Sequence, residues 1–413
     1  KNPDCEAAGG GVGVGKLRTG AVMADSFDVV IIGGGAIGSA IACFLMLEPG
    51  FDGTVAVVER DPTYRTASSA LSASSIRQQF STPFNVAVSR FGLEVLTHPE
   101  RWLEVEGEVP DFGFHEKGYL FLATPAGLPV LQANHEMQVG EGVAVDLMAP
   151  DRLAERFPWL NVEGLSAGSL GLAGEGWFDG YSLLQAFKRK ARSLGATYIA
   201  DTVTGIDRAG SRVTGVTLAQ GGRIGCGTLV NAAGPQAGKV AALAGIDLPV
   251  EGRKRCVFVF DCRQTLAGCP LVIDPSGVWF RPEGNLFICG APPQGDDPDT
   301  EDLTVDHGLF DEMMWPALAE RVPAFESLKV VNAWAGHYEM NTVDHNAIIG
   351  PHPDLPNLIF ANGFSGHGLQ QSPAAGRGVA ELIAHGGFRS LDLSPFAFTR
   401  ILENRPIVEL NVV

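Results

Sequence analysis

Near the start of the chain, apolar residues form a short run, break at glycines and resume over a longer stretch. This pattern in "FDVVIIGGGAIGSAIACFL" at 27–45 predicts a buried strand, a glycine turn and a helix. A second mainly apolar run, "TVAVVER" at 54–60, predicts another buried strand. Strand, helix and strand in this order indicate a βαβ unit.

The rest of the chain alternates between helical periodicity and the short apolar runs of strands. Helices are predicted at 81–96, 179–195, 305–322 and about 370–384. The first of these has Ser81 or Thr82 as its expected cap and Pro83 in its first turn. Strands are predicted at 117–124, within 211–234 and 256–290, and at 329–338 and 357–363.

Composition and charge exclude several classes of protein. Hydrophobic residues make up 45% of the 413 residues, which is enough for a large core. The formal net charge of −17 repels phosphate backbones, so no nucleic acid is expected as a partner. No apolar run reaches the roughly 20 residues of a membrane span, so no span is predicted.

The positions of cysteine and histidine indicate neither a disulfide framework nor a metal site. The seven cysteines form an odd, scattered set without a C-x-x-C pair: Cys5, Cys43, Cys226, Cys256, Cys262, Cys269 and Cys289. This pattern favours reduced thiols and a cytoplasmic location, or an organelle matrix. The histidines show no metal-ligand spacing, so no metal is expected.

The first glycine turn has the spacing Gly33-x-Gly35-x-x-Gly38 between the predicted strand and helix. Glycines here allow a tight turn and close approach of a pyrophosphate, and the helix N-terminus faces the phosphates. Glu59 ends the next strand, where a carboxylate can accept hydrogen bonds from ribose hydroxyls. The arrangement predicts dinucleotide binding, but by itself it does not separate FAD from NAD.

Two further glycine turns favour FAD. "LVNAAGPQAG" at 229–238 is an apolar strand that runs into a glycine turn and a helix, although a plain packing turn has the same pattern. "ANGFSGHGLQQSPAAGRGVAELI" at 361–383 places glycines directly before a predicted helix. The positive end of that helix would stabilise the negative charge of a reduced flavin, which assists hydride acceptance. A turn that only caps a core helix is the alternative.

Segments of the nucleotide-binding type lie in separated blocks, with strand-rich segments inserted between them. We therefore predict an α/β fold (α+β, two domains): a discontinuous Rossmann-like FAD-binding domain and a mainly antiparallel β-sheet substrate domain. The FAD-binding domain is predicted over 25–106, 147–245 and 331–386, and the substrate domain over 107–146 and 246–330. Residues 1–24 are expected to be a flexible leader and 387–413 a C-terminal arm.

These segments resemble the D-amino-acid-oxidase/sarcosine-oxidase family of FAD enzymes over nearly all of 27–400. The matching segments are "DVVIIGGGAIGSAIA", "VVER", "ASSALSASSIRQQF", "LVNAAG" and "GFSGHGLQQSPAAGRGVAELI". The resemblance implies oxidation of a C–N bond, in which hydride passes from the carbon beside the amine to flavin N5 and the imine hydrolyses. It also implies a small-molecule amine or amino-acid substrate, for which we expect a secondary or tertiary amine such as an N-methyl amino acid.

The resemblance assigns roles to individual residues near the expected substrate. Arg77 occupies the position of an arginine that binds the substrate carboxylate, a contact that suits its planar fork, although a surface arginine is the alternative. His367 lies in the flavin loop, where it would contact the ring or the substrate, or only stabilise the loop. His337 and Tyr338 would line the flavin edge, or else belong to the core.

Three departures from the family pattern change the expectation. His337 stands where sarcosine oxidases have a cysteine linked to the flavin, so the FAD is expected to be bound non-covalently, with a histidyl link through His337 as the alternative. Gln370 replaces a second carboxylate-binding lysine, which suggests a weaker or differently placed acid group. Ile288 replaces a lysine that speeds the reaction with oxygen, which favours a dehydrogenase over an oxidase.

The residues predicted to bind FAD lie in the glycine turns and in the segments that follow the first strands. They are Gly33, Gly35, Ala36, Ile37, Gly38, Glu59, Arg60, Ser68, Ser69, Ala73, Val203, Ala233, Gly234, Gly363, Gly366, His367, Gly368, Leu369 and Gln370. The residues predicted to act on the substrate are Arg77, His337, Tyr338, His367 and Gln370.

Other functions fit the same sequence. Some members of the family are associated with assembly of a respiratory complex, so a flavin-stabilised assembly factor is one alternative, which the lost lysines at 288 and 370 favour. One subunit of a hetero-oligomeric amine dehydrogenase is another, and it would pass electrons to an acceptor protein or a quinone. An NAD-dependent dehydrogenase is the last, which a yellow protein would exclude.

Overall fold

The computed structural model describes residues 26–410, so the expected leader at 1–24 and the end of the expected C-terminal arm lie outside the described residues. The strands are β1 (Ser26–Ile32), β2 (Val55–Glu59), β3 (Ser75–Ile76), β4 (His115–Glu116), β5 (Tyr119–Ala123), β6 (Val145–Met148), β7 (Ala167–Gly171), β8 (Gly176–Trp177), β9 (Thr197–Ala200), β10 (Val203–Ala209), β11 (Arg212–Leu218), β12 (Arg223–Asn231), β13 (Val250–Asp261), β14 (Leu271–Ile273), β15 (Trp279–Glu283), β16 (Leu286–Gly290), β17 (Lys329–Asn341), β18 (Ile348–His352) and β19 (Leu355–Asn362). The helices are α1 (Ala36–Leu47), α2 (Ser68–Leu71), α3 (Pro83–Thr97), α4 (Leu128–Gly140), α5 (Pro150–Arg156), α6 (Gly180–Ser193), α7 (Ala237–Ala242), α8 (His307–Leu309), α9 (Trp315–Arg321), α10 (Gly368–His385) and α11 (Thr399–Leu402).

The first sheet has eight strands in the order β10-β11-β12-β1-β2-β9, with β19 also beside β12 and β18 beside β19. Its centre is parallel, because β1 pairs with β12 and β2, β2 with β9, and β12 with β19. One face carries a hydrophobic core with α1, α6 and α10, and the other carries a second core with α7. A parallel sheet buried on both faces explains the nearly continuous apolar runs of the sequence.

Helix α1 packs closely against helix α10. A Cβ atom on Gly376 would lie 2.7 Å from the Ala40 backbone, so glycine permits this approach. Pro373 has no N–H to donate to Leu369 O, and the Ser372 hydroxyl donates to that carbonyl instead over 2.8 Å. Because α1 and α10 pack side by side, the first residues of both helices line the same cavity.

The second sheet also has eight strands, in the order β17-β13-β16-β15-β14-β5-β7-β6. All its pairs are antiparallel except β14 with β5. One face packs on α5, α9 and the π-helical turn Phe310–Met314 through a cluster that includes Phe258, Phe260, Phe280, Phe287 and Phe325. The opposite face lines the cavity, and the arrangement confirms the predicted fold class.

A third, small sheet has the order β3-β8-β4, and the chain leaves β3 directly at Arg77. Within the described residues, no helix combines the length and the apolar character needed to cross a bilayer.

Two parts of the predicted organisation differ from the structure. β7 and β17 lie largely in segments assigned to the FAD-binding domain, yet both pair within the second sheet. Such pairings join residues far apart in the chain, which local patterns do not reveal. We retain the two-domain division as a proposal in which both strands belong to the substrate domain.

The expected helix at 305–322 is interrupted by the π-helical turn, and Pro316 lies in the first turn of α9, where its missing N–H is tolerated.

The described residues of the expected arm, 387–410, pack against the two cores that flank the first sheet. Arg400 in α11 is buried, and its guanidinium donates to both carboxylate oxygens of Asp344, at 2.8 and 2.9 Å. Further on, Glu409 accepts hydrogen bonds from Ser81 N and Thr82 Oγ1. Thr82 is the N-cap of α3 but makes no side-chain capping bond, so the carboxylate of Glu409 supplies negative charge at that helix end.

Candidate active site and cofactor cleft

One cavity between the two sheets brings most of the predicted site residues together. Those that line it are Gly33, Gly35, Ala36, Ile37, Glu59, Arg60, Ser68, Ser69, Ala73, Arg77, Ala233, Gly234, His337, Tyr338, Gly366, His367, Gly368, Leu369 and Gln370. Their roles toward cofactor and substrate stay predictions, but three glycine turns far apart in the chain border the same cavity.

Three predicted cofactor residues do not line the cavity, because they have other positions in the fold. Val203 is buried in β10, within the core on the α7 side of the first sheet. Gly363 has a φ of +70° in the turn after β19 and packs against Asn341. Gly38 lies inside α1, where a Cβ atom would collide with the carbonyl oxygen of Gly33. Gly38 therefore allows the strand–helix packing and does not itself face a ligand.

The first glycine turn is held by two side chains from other segments. Gly34 N donates to Glu59 Oε2 over 2.7 Å, and Asp61 N donates to Glu59 Oε1 over 2.8 Å. Ala36 N, at the start of α1, donates to Ser69 Oγ over 3.0 Å. Glu59 thus fixes the end of β2 against the glycine turn and also lines the cavity, while its contact with a ribose stays a prediction.

The third glycine turn leads directly into α10, whose N-cap is His367. Gly366 has a φ of +94°, and a Cβ atom there would lie 2.5 Å from the ring of Tyr338. The turn is tied to β17 because Ser365 N donates to Glu339 O and Asn341 N donates to Ser365 Oγ, both over 3.0 Å. A bare backbone and a helix N-terminus therefore border the cavity here, as an anionic ligand requires.

Arg77 is the central cation of the site, and it is 2% exposed. Its Nη2 donates to Nε2 of His367 over 2.8 Å, and its guanidinium carbon lies 4.7 Å from the ring centre of Phe80 and 5.1 Å from that of Phe121. Burial lowers the pKa of Arg77, but an arginine starts so high that it stays charged. The structure therefore buries a charged fork beside the third glycine turn.

His367 is neutral in this setting. Burial is the main cause that lowers the pKa of His367 to about 3, and the charge of Arg77 adds to it. Because Nε2 accepts from Arg77, the ring proton sits on Nδ1. His367 therefore orients the arginine, and its Nε2 is not available to take a proton from a substrate.

Gln370 and Glu175 hold the Arg77 segment. The side-chain oxygen of Gln370, a predicted substrate residue, accepts from Arg77 N over 2.9 Å and so ties α10 to this segment. Glu175, which was not predicted as a site residue, accepts from Gln78 N, Gln79 N and Gln79 Nε2 at 2.7, 3.0 and 2.8 Å. Burial raises the pKa of Glu175 to about 7. A glutamate between glycines before an apolar strand was the only signal for it.

Strand β17 contributes His337, Tyr338 and the missed residue Glu339 to the cavity. His337 Nε2 is buried without a hydrogen-bond partner, and burial lowers the pKa of His337. The guanidinium of Arg255 lies 5.1 Å from the ring centre of Tyr338. The carboxylate of Glu339 lies between the second and third glycine turns. A Cβ atom added to Gly234 would lie 3.7 Å from one of its oxygens, and a Cβ atom added to Gly368 would lie 3.6 Å from the other. Burial raises the pKa of Glu339 to about 8.

The raised pKa of Glu339 predicts a pH dependence of stability. The native state keeps a proton that the unfolded chain releases near the ordinary value of 4.5, so this stabilisation is complete below that pH and is lost as pH rises toward about 8. Glu339→Gln should remove this loss. Between pH 5 and pH 9 the free energy of unfolding of the variant should therefore rise by a few kcal/mol relative to that of the wild type, because one pKa unit corresponds to about 1.4 kcal/mol. Urea unfolding of the apoprotein at both pH values measures this difference.

The exposed Glu136 in α4 provides the control, since Glu136→Gln should leave the pH dependence of the wild type unchanged. Equal pH profiles for wild type and Glu339→Gln would show that Glu339 titrates as an ordinary carboxyl.

The cavity fits a flavin dinucleotide. Glycines of the first and third turns line it with backbone that carries no side chain, and the first residues of α1 and α10 border it. Ser68 Oγ and His337 Nε2 are buried, line the cavity and have no protein partner, so they can bond a bound group. Within residues 26–410, no group of three or more His, Cys, Asp or Glu side chains is placed to hold a metal ion.

Comparison with known proteins agrees with this site. The family model DAO, described as FAD-dependent oxidoreductase, matches residues 28–382. The chain is 44% identical over 431 aligned positions to FAD-dependent oxidoreductase domain-containing protein 1 of Xenopus laevis, covering 96% of this chain and 86% of that protein. It is 30% identical over 393 positions to the glycine oxidase of Geobacillus kaustophilus, covering 92% and 98%. The solved structure of L-proline dehydrogenase from P. horikoshii superposes with a TM-score of 0.82 at 28% identity, covering 93% and 100%.

Proposed function

Because the chain belongs to the DAO family of FAD-dependent oxidoreductases, we propose that it oxidises a C–N bond in a secondary or tertiary amine that carries a carboxylate. An N-substituted amino acid such as an N-methyl amino acid has both groups. The similarity to a glycine oxidase and to an L-proline dehydrogenase supports an amino-acid substrate, and proline is itself a secondary amine.

The observation that carries the proposal is the position of Arg77. A buried, charged guanidinium shares one cavity with the glycine turns that fit FAD, and it lies beside His367 at the N-terminus of α10. A planar fork in a site of low dielectric binds a carboxylate strongly and sets its orientation. The substrate acid is therefore held next to the third glycine turn, where the flavin ring is expected.

The residues of this chain would act by positioning. FAD, when bound, supplies the acceptor for the hydride and with it the difficult chemistry. Arg77 holds the substrate acid, and His367, Gln370 and Glu175 hold Arg77 in place. The amine must be neutral to lose hydride, and since His367 Nε2 is already occupied, removal from water in the cavity lowers the pKa of the amine instead.

We further propose that the enzyme is a dehydrogenase that passes electrons to an acceptor protein or a quinone. Ile288, at the position where a lysine would speed reaction with oxygen, is 2% exposed and lies in an apolar cluster with Val257 and Val259. No lysine lines the cavity within residues 26–410, so a cation of that type is missing from it. Oxygen should therefore react slowly with the reduced enzyme.

We also propose that FAD is bound non-covalently in a cytoplasmic or organelle-matrix protein. Cys256 lines the cavity, but its sulfur accepts from Asp306 N over 3.5 Å and packs in the core on the far face of the second sheet. The cysteines of the described part are free thiols, which suits a reducing compartment. Acid precipitation should accordingly leave all flavin in the supernatant.

The test is an anaerobic titration of the holoprotein with a panel of N-methyl amino acids, followed by opening to air. We expect one compound to bleach the flavin band, the matched amine without the carboxylate to leave it unchanged, and the colour to return slowly in air. A bound flavin that no member of the panel bleaches would overturn the proposed reaction. Fast recovery in air would overturn the dehydrogenase assignment alone.

A further inference from the structure

We propose that the acid bound at Arg77 carries a bulky apolar group, aromatic or branched aliphatic, so that the substrate is a hydrophobic amino acid and not glycine or its N-methyl derivative. This inference rests on the proposed function in one respect, namely that Arg77 holds the substrate carboxylate. It follows from the wall of the cavity next to Arg77.

That wall, which we call the apolar wall, consists of Tyr119, Leu271, Ile273 and Trp279. The four residues come from three adjacent strands of the second sheet, β5, β14 and β15. Leu271 lies opposite Tyr119, and Ile273 lies opposite Trp279, so the side chains cover a continuous patch. They pack in one hydrophobic cluster, which shows that they share the face of the sheet turned to the cavity.

The apolar wall adjoins the acid-binding group. Phe121, whose ring centre is 5.1 Å from the guanidinium carbon of Arg77, lies two positions after Tyr119 on β5, and their rings stack with centres 6.1 Å apart. Gln79, two residues after Arg77, donates to the backbone oxygen of Tyr119 over 3.1 Å. An acid held by the arginine therefore places its substituent near these rings.

The terminal nitrogens of the arginines close to the apolar wall are already engaged. Arg281 is 4% exposed, donates from Nη2 to Ala73 O over 2.8 Å and pairs through Nη1 with Glu283, which leaves its Nε as the one nitrogen of this side chain without a partner in the described part of the chain. Arg255 lines the cavity, but its two terminal nitrogens bond both carboxylate oxygens of Asp297, at 2.9 and 2.8 Å. A polar substituent would thus find few partners along this wall, whereas an apolar one would remove hydrocarbon surface from water.

A binding experiment on the FAD-loaded protein tests the inference without turnover. Acetate and phenylacetate both carry the carboxylate but have no amine to oxidise, and their binding can be followed through the visible spectrum of the bound flavin. We expect phenylacetate to bind at least tenfold more tightly than acetate, because only its ring covers the apolar wall. Trp279→Ala should reduce this ratio severalfold, whereas Trp315→Ala, at an exposed tryptophan in α9, should not change it.

The outcomes separate this inference from the proposed reaction. Equal binding of the two acids to the wild-type protein would overturn the apolar class of substrate, even where an N-methyl amino acid bleaches the flavin. Tight binding of phenylacetate that Trp279→Ala does not weaken would also overturn it. Tight binding that depends on Trp279, together with no bleaching by any amine, would support the apolar site and overturn the reaction instead. If Trp279→Ala does not fold, Leu271→Ala replaces it, and the comparison of the two acids on the wild type stands by itself.

Discussion

Gly38→Val is expected to produce a protein that purifies without flavin. A Cβ atom at this position would collide with the carbonyl oxygen of Gly33, and both the strand–helix turn and the start of α1 would have to move. The helix backbone fixes the position of the Cβ atom, and the atom that it meets belongs to the backbone of Gly33, so no side-chain rotation can relieve the collision. We expect FAD affinity to fall at least 100-fold, which corresponds to about 3 kcal/mol.

The ratio of flavin absorbance to protein absorbance after purification, followed by titration of the apoprotein with FAD, measures this effect. Gly140→Ala is the matched control, since a Cβ atom there meets nothing within 4 Å and the residue lies in α4, away from the cavity. Circular dichroism checks that Gly38→Val still folds. A folded variant that binds FAD with wild-type affinity would contradict the assignment of the first glycine turn to the cofactor.

Arg77→Met is expected to abolish acid binding while the protein stays yellow. The substitution removes the buried charge that should pair with the substrate carboxylate, and Met keeps much of the volume between Phe80 and Phe121. Losing one partner of a buried charged pair costs roughly 2 to 5 kcal/mol, so we expect the dissociation constant of a carboxylate ligand to rise at least 100-fold. Arg77→Lys should give an intermediate loss, because it keeps the charge but not the planar fork.

Spectral titration with phenylacetate measures this change on the FAD-loaded variants. Arg152→Met serves as control, because the Arg152 side chain is 60% exposed and pairs with Asp146 at the surface. Removal of the Arg77 charge should also raise the pKa of His367, which a histidine titration followed by NMR would detect. If Arg77→Met binds carboxylates as tightly as the wild type, the acid is held elsewhere and the proposed function loses its main support.

The two variants act on different parts of one cavity. Gly38 supports the turn that is predicted to bind the pyrophosphate, whereas Arg77 is predicted to bind the substrate. Gly38→Val should therefore change the affinity for FAD, and Arg77→Met should change only the affinity for the acid. A site in which FAD binds but no acid does would favour a protein stabilised by its flavin, without turnover.

Short segments were sufficient to predict the cofactor, and the fold class, the family and FAD are confirmed. The first glycine turn, the acidic end of β2 and the second and third turns were each recognised from such segments, and their roles toward FAD stay predictions. The turns could be recognised because the restrictions are short-range: a glycine with positive φ or a Cβ collision depends on a few neighbouring residues. Val203 and Gly363 show the limit, since both belong to the right segments but neither lines the cavity.

The contacts that hold Arg77 in place could not be predicted from the sequence. Arg77 and His367 are separated by 290 positions, and Gln78 and Glu175 by 97. The residues around Glu339 do not distinguish a buried carboxylate from one at the surface, and those around Glu175 offer only its position between two glycines. Their raised pKa values arise from burial, which exists only after the strands have assembled.

The sequence by itself determined that this protein binds a dinucleotide, because the glycine spacing and strand–helix order that predict such a site are local properties, and the resemblance of several short segments identified the family of FAD-dependent oxidoreductases. Only the tertiary structure decided which strands form the substrate sheet, that His367 is a neutral acceptor from Arg77, and that an apolar wall adjoins the acid-binding group. The physical reason is that burial, charge pairing and strand register depend on contacts between residues far apart in the chain.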